Sequence, residues 1–364
     1  MGRGFSASTT RKKSVTDHFD KSLEPAPRIA KASPRPRVGF LGVGWIGCHR
    51  LQSIVESGAV EIAAVADFDS AAASEMAARV PGAVAVPSLD ALLELQLDGL
   101  VIATPTALHA EQAIAALERD TAVFCQKPLG RSADETARVI RAARQANRLL
   151  AIDLSYRFVR GVQRIKQMIS AGEIGTIYVA DLVFHNAYGP DKAWYYDRKF
   201  SGGGCLIDLG IHLIDLALWM LDFPVVEKIS SRLFSQGRPV QRAAGALEDY
   251  ALARLDLATG ATVNLACSWR LPAGRDALIS ASFFGTAGGL SVKNVGGSFY
   301  DFRAERFQGT SRMLLDQPPD PWGGRAAVAW AEQLSVDPTF DARIEPAHLV
   351  AEVIDEIYRQ NVSD

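Results

Sequence analysis

Two short stretches of this chain hold residue types suited to chemistry on a hydroxyl-bearing carbon. The first is Gln126-Lys127-Pro128, which follows the apolar run 123–125. Proline has no N–H to give a sheet ladder and stops a strand, which leaves Lys127 at the carboxyl end of the run. An ammonium there can hydrogen-bond a reacting oxygen and stabilise the negative charge developing on it. The second stretch runs from Gly202 to Asp215 and contains Asp208 and His212, four residues apart. On a helix that spacing puts both on one face. Removing a hydride from an alcohol carbon also needs a base for the hydroxyl proton, and histidine titrates in the right range. Asp208 then binds the substrate, orients His212 or favours its protonated form. A core histidine partnered by Asp208 is the alternative reading of the same pattern. Cys205, Asp208 and His212 lack a second ligand cluster, so no metal is expected.

A hydride needs a carrier, and the sequence offers a place for one. Gly42-Val43-Gly44-Trp45-Ile46-Gly47 follows the β-branched run 38–41 and opens a helical pattern. In that context a G-x-G-x-x-G marks a dinucleotide site. Gly42 permits the tight turn, Gly44 lets backbone approach a pyrophosphate, and Gly47 lets helix and strand pack. The amides of Trp45 and Ile46 sit at the helix N-terminus, where phosphate is favoured. Asp67, twenty residues after Gly47, ends the second strand pattern and is placed to bind the adenosine ribose. Its charge favours NAD over NADP, although Arg79 or an arginine of the N-terminal arm could reach a 2′-phosphate. Thr104, Pro105 and His109 follow the fourth strand pattern. Thr104 and Pro105 are expected on the nicotinamide side of the cleft, and for His109 capping or packing at the helix start and cofactor contact are both open.

The elements that position these residues are legible as rhythm. Strand patterns at 38–41, 62–66, 83–86, 100–104, 123–125 and 150–154 alternate with helical ones at 46–56, 71–79, 107–119 and 135–147, the last opened by Ser132 and Glu135 at capping-box spacing. The expectation is a doubly wound parallel sheet over residues 37–156, buried on both faces. After residue 156 come a helix at 159–170, a long strand at 176–184 and a helix at 204–221. Strand patterns then succeed one another at 225–233, 249–257, 261–269, 278–284 and 290–292, with closing helices near 326–334 and 347–359. Successive strands with short turns predict an α+β region over 157–364 with a large, mostly antiparallel open sheet. Tyr156, Arg157 and Trp194 are candidate substrate contacts, aromatic and charged groups suited to a polyhydroxylated ring. Tyr195, Tyr196, Asp197 and Trp269 belong to the same set, with core packing an equal alternative for Tyr195 and Trp269.

Composition narrows the partners. The 364 residues are 48% hydrophobic and 22% charged, with a formal net charge of −2, which gives no sign of nucleic-acid binding. Residues 1–37 carry nine Lys/Arg against three Asp/Glu, so a basic arm over 1–36, expected to be loosely ordered or else to embrace a neighbouring subunit, precedes an acidic body. The apolar stretch 209–223 is interrupted by His212, Asp215 and Asp222 and falls short of the roughly 20 residues a membrane span needs. No secretory signal is read at the N-terminus. Four separated cysteines, Cys48, Cys125, Cys205 and Cys267, suit reduced thiols and a cytoplasmic setting.

Taken together, the glycine fingerprint, Thr104-Pro105 with His109, Lys127-Pro128, and the glycine-rich segment with Asp208 and His212 make the chain resemble the glucose–fructose oxidoreductase and inositol dehydrogenase family, Gfo/Idh/MocA. The resemblance runs from about Pro36 to the C-terminus. It implies a Rossmann domain, then an α/β domain whose open sheet often forms the interface of a homo-oligomer, a dimer or tetramer. It also implies Lys127 on the reacting oxygen, His212 as acid/base, Asp208 beside the substrate, and Gln126 and Lys127 near the cofactor. One departure stands out: the family usually has Glu-Lys-Pro where this chain has Gln126-Lys127-Pro128. The implied activity is NAD(P)-dependent hydride transfer at a hydroxyl-bearing carbon of a sugar, sugar acid or cyclitol. An NAD-dependent glycosidase of the same family and a non-catalytic dinucleotide-binding protein are the alternatives; a sensor would need neither Lys127 nor His212.

Overall fold

The computed structural model describes residues 35–240 and 246–362; the basic arm, apart from its last two residues, lies outside them. Six short strands come first: β1 (Arg37–Leu41), β2 (Glu61–Ala66), β3 (Val84–Ala85), β4 (Gly99–Ile102), β5 (Ala122–Cys125) and β6 (Leu150–Ile152). Between them run α1 (Trp45–Ser57), α2 (Ser70–Arg79), α3 (Leu89–Leu93), α4 (Thr106–Leu117) and α5 (Ala133–Ala146). Every pairing is parallel and the order is β3-β2-β1-β4-β5-β6. The chain reverses its direction of winding between β1 and β4, and a crevice opens at the carboxyl ends of those strands.

Alternating side chains bury both faces of this sheet. Val38, Phe40, Val101 and Phe124 pack on one side with Leu51, Ile54 and Ala73, while Leu41, Leu100, Ile102 and Val123 pack on the other with Ala113, Leu117 and Val139. Caps fix the helix starts. Asp69 accepts from the amides of Ala71 and Ala72, Ser88 from Ala91, and Ser132 from Glu135, as the capping pattern at 132–135 predicts. The five-residue α3 is too short to show a period in the sequence.

The second region starts with a 3-10 turn at Ser155–Phe158 and α6 (Arg160–Ser170), then β7 (Ile177–Asn186), the short α7 (Arg198–Ser201) and α8 (Ile211–Met220). Next come strands β8 (Val226–Ser235), β9 (Arg238–Pro239), β10 (Tyr250–Leu257), β11 (Thr262–Ser268), β12 (Ala277–Gly285), β13 (Gly288–Asn294), β14 (Phe302–Gln308) and β15 (Ser311–Asp316). They join β7 in a nine-stranded sheet ordered β15-β14-β13-β12-β7-β11-β10-β8-β9, antiparallel except where β11 lies parallel to β7. The fold class is therefore as expected: a doubly wound α/β layer followed by a large, mostly antiparallel open sheet. Period-two burial along β10 and β12 turns one face onto α6 and α8 and leaves the other, with Asp181, Arg254 and Asn264, facing outward.

β14 and β15 escape a reading of the sequence because charges interrupt them. Glu305 of β14 is buried and is compensated by Lys293 and Arg312 on neighbouring strands. The helical stretch Arg198–Met220 is also longer than the apolar segment read at 209–223. By length and composition alone it passes as a membrane span, but 83% of its apolar window is buried inside this fold, as a core helix requires.

The last two helices, α9 (Arg325–Val336) and α10 (Ala347–Val362), return to cover earlier elements. α9 crosses the sequence division at residue 156: Trp330 is 2% exposed and lies 5.8 Å from the Phe124 ring of the parallel sheet. A Cβ on Gly99 of β4 would lie 2.8 Å from the same indole, so glycine lets the helix close on the strand. Trp330→Ala is expected to cost about 3–5 kcal/mol in urea unfolding. A loss below about 1 kcal/mol would show that α9 is a dispensable cover.

Candidate active site

The glycine turn between β1 and α1 is built as the fingerprint requires. Gly42 has φ +93° and its amide donates to Ala66 O at 2.8 Å; a Cβ there would lie 2.6 Å from Ala103 O. A Cβ on Gly47 would come within 2.2 Å of Gly42 O, whereas one on Gly44 would meet nothing within 4 Å. Gly44 therefore faces open space, with Trp45 and Ile46 opening α1 behind it. Among the described residues no side chain caps that helix, which leaves its first amides for an anion. Asp67 is fixed by two backbone donors, Val43 N–H at 2.7 Å on Oδ2 and Asp69 N–H at 2.9 Å on Oδ1. An open glycine, an uncapped helix end and an oriented carboxylate fit a dinucleotide.

A cleft of about 730 Å³ starts at this turn and runs along the carboxyl ends of the parallel strands to the second sheet. It is lined by Gly42, Gly44, Trp45, Ile46, Asp67, Thr104, Pro105, His109, Gln126 and Lys127 from the first region, and by Tyr156, Trp194 and His212 from the second. Gly47 packs behind the turn. Thr104 donates its hydroxyl to Gln112 Oε1 at 2.6 Å. His109 is 1% exposed, its two ring nitrogens 2.7 Å from the carbonyls of Thr104 and Pro128. Burial pushes its pKa down despite those two acceptors, and a neutral ring donates to only one of them. Its ring thus braces two strand ends, and of the two expectations for it, packing describes its polar contacts.

Lys127 emerges from β5 and its ammonium donates to Asp208 twice, at 2.7 Å to the carboxylate and 2.7 Å to the backbone carbonyl. The second Asp208 oxygen accepts from the Trp269 indole N–H at 3.0 Å. The expected continuous helix is interrupted at this point: Leu206–Gly210 form a π-helical turn before α8 begins. Such turns widen the helix and shift the register of the residues beyond them. Asp208 consequently pairs with Lys127, while the His212 ring packs on Tyr156, centroids 4.9 Å apart, and on Phe184 at 6.3 Å. His212 sits well below its ordinary pKa through burial and the positive charges of Lys127 and Arg50. The idea that Asp208 favours a protonated His212 is therefore corrected: lysine takes up the carboxylate.

Three of the candidate substrate contacts are engaged away from the cleft. Arg157 does not line the cleft; its guanidinium grips Asp215 through Nε at 2.9 Å and through Nη2, and lies over the rings of Trp219 and Phe223. Trp269 is buried as the Asp208 donor, and Asp197 caps α7. Trp194 and Tyr195 do reach the cleft, stacked on each other with centroids 3.8 Å apart. Sequence reasoning passed over Arg50 and Asp153, both cleft-lining and buried, with Arg50 Nε 2.6 Å from Asp153 Oδ2. Each had a signal: Arg50 falls on the buried stripe of α1 with Gly47, Leu51 and Ile54, and Asp153 ends an apolar strand.

These two residues give the Gln126 departure a physical reason. The Gln126 amide N–H donates to the same Asp153 oxygen that Arg50 holds. A glutamate at 126 would set a second buried carboxylate against the first with one arginine between them. Gln126→Glu is expected to lower stability by about 1–3 kcal/mol, and adding Asp153→Asn should recover most of that loss. Thermal unfolding of the two variants decides it, since additive losses would mean the side chains do not interact.

Comparison with known proteins agrees with the geometry. Residues 36–154 match the model of an oxidoreductase family with an NAD-binding Rossmann fold, and residues 162–291 match the GFO/IDH/MocA C-terminal domain. The chain is 24% identical over 346 residues to a D-glucoside 3-dehydrogenase of Escherichia coli, an alignment covering 91% of this chain and 97% of the relative. It is 32% identical over 194 residues to inositol 2-dehydrogenase 3 of Saccharopolyspora erythraea, about half of each chain at 52% and 55%. The crystal structure of GenD2 from gentamicin A biosynthesis, in complex with NAD, superposes with a TM-score of 0.75 at 24% identity, over 92% of this chain and 97% of that one, and shows the same fold.

Proposed function

The chain belongs to the Gfo/Idh/MocA family of NAD(P)-dependent oxidoreductases, and on that premise we propose that it interconverts a secondary alcohol and its ketone on a sugar, sugar acid or cyclitol. The observation that carries the reading is that Lys127 and His212, 85 positions apart, line one cleft together with the glycine turn and Asp67. Relatives named as D-glucoside and inositol dehydrogenases support the substrate class. The aromatic wall of Tyr156, Trp194, Tyr195 and Trp322 suits the apolar face of a polyhydroxylated ring. We assign residues 37–156 to cofactor binding and the remainder mainly to the substrate and to self-association through the open sheet.

Nicotinamide, when bound, supplies the two-electron acceptor or donor. The protein's residues manage the oxygen and its proton. The Lys127 ammonium, held in place by Asp208, donates a hydrogen bond to the reacting oxygen and favours the alkoxide character that precedes loss of the hydride. The His212 imidazole accepts the hydroxyl proton in oxidation and returns it in reduction. Asp208 positions Lys127 through its carboxylate and its backbone carbonyl. Asp67 favours NAD, because its charge repels a 2′-phosphate.

Absorbance at 340 nm with NAD or NADP and a panel of sugars, polyols and cyclitols tests the reaction. A substrate-dependent rise is expected with NAD, and Lys127→Ala and His212→Asn should each reduce kcat at least about 100-fold. Full activity in both variants would remove the proposed centre. The direction of the His212 shift sets the pH dependence: a base held below its ordinary value of 6.5 stays neutral until the pH falls past its own lower value. The acid limb of the oxidation profile should therefore lie below pH 6.5 and be absent from His212→Asn. A limb centred above 6.5 would assign the base elsewhere.

A further inference from the structure

Asp153 is a buried, incompletely satisfied carboxylate in the cleft. It is 1% exposed, and its Oδ2 takes both donors, the Arg50 guanidinium at 2.6 Å and the Gln126 amide. Among the described residues its Oδ1 is buried without a hydrogen-bond partner. An unpaired buried acceptor costs on the order of 1–3 kcal/mol, and this one belongs to a residue that lines the cleft. Its position is equally specific. Asp153 directly follows β6, its amide donates to Cys125 O at 2.9 Å, and it stands beside the segment carrying Gln126 and Lys127.

Charge and location narrow what Oδ1 receives. Arg50 is 5% exposed and already balances the carboxylate, so a second cation would leave a net positive charge in a buried place. The missing partner is a neutral donor. Arg50, Gln126 and Asp153 all lie within residues 36–154, the NAD-binding part of the chain, at the strand ends where the cofactor is expected. The adenosine end is served by Asp67 and the pyrophosphate by the glycine turn, which leaves the nicotinamide end for the strand ends beside Lys127. We propose that Asp153 Oδ1 accepts a hydrogen bond from the carboxamide N–H of bound nicotinamide. Asp153 thereby selects the amide over other substituents at that ring position, with Arg50 and Gln126 as positioning residues.

The inference rests on the NAD-binding part of the functional reading and not on the substrate, so its test needs no turnover. Affinities for NAD and for nicotinic acid adenine dinucleotide, whose carboxylate replaces the amide, are measured by calorimetry on the full chain. The wild type should prefer NAD by about tenfold or more, because Asp153 gains a donor from the amide and repels the carboxylate. Asp153→Asn should narrow the ratio to within about threefold. If Asp153→Asn unfolds through loss of the Arg50 pair, Arg50→Gln/Asp153→Asn removes both charges and should narrow the ratio likewise. A merely structural Asp153 would weaken both ligands alike, so an unchanged ratio in the folded variant overturns the proposal. A donor supplied by substrate predicts the same unchanged ratio. A wild type that binds neither dinucleotide overturns it together with the cofactor reading, and is recognised by the loss of both affinities.

Discussion

The Lys127 ammonium is held by two oxygens of one residue, the carboxylate and the backbone carbonyl of Asp208, 81 positions further along the chain. That contact joins the end of a parallel strand to a helix of the second region, and the rest of the proposed centre is arranged around it. Both side chains are largely shielded from water, so a lysine without Asp208, or an aspartate without Lys127, would be a poorly solvated charge. The Trp269 indole on the other carboxylate oxygen fixes the direction in which the pair points. The arrangement is suited to holding a reacting oxygen because the lysine is in place before any substrate arrives.

The local geometry that makes this contact is a break in helical regularity. The π-helical turn at Leu206–Gly210 sits where α8 meets β11, and small residues let it fit: a Cβ on Gly210 would lie 3.2 Å from Cys267 Sγ. The turn is anchored from below by Glu248, 0% exposed, whose Oε1 accepts from the amides of Gly204 and Leu206 and from the Tyr358 hydroxyl. Burial pushes the Glu248 carboxyl pKa up, against these donors. A buried acid thus secures the glycine-rich segment, and residues 208 and 212 inherit their different surroundings from it. One faces a lysine, the other an aromatic cage.

On the cofactor side the constraint is backbone rather than side chain. Gly42 occupies a left-handed conformation against Ala103, and Gly47 touches the turn itself, so the strand–turn–helix unit has little freedom to adopt another shape. The Arg50–Asp153 pair then links α1 to the end of β6, across the width of the sheet that carries Gln126 and Lys127. Phosphate cradle and lysine are therefore parts of one braced unit.

Much was legible in the residues alone, and the legible features share a property. Strand alternation, helix period, capping at Ser132 and the glycine turn are local, set by residues within a few positions of one another. They determined the parallel sheet, the cofactor turn with Asp67, and the placing of Lys127 and His212 as candidates. Tertiary structure decided the rest, because contacts between distant residues leave no period. Arg157 carries the charge suited to a ligand, yet Asp215 and two aromatic rings claim it. Asp208 and His212 have the spacing of helical partners, yet a π turn and Lys127 separate their roles. Arg50, Asp153 and Gln126 come from three segments and become one network only when β5 and β6 lie side by side with α1 over their ends. Local sequence settles which elements form and which residues are offered to the cleft; the competition among buried charges, decided only by packing, settles which of them remain available there.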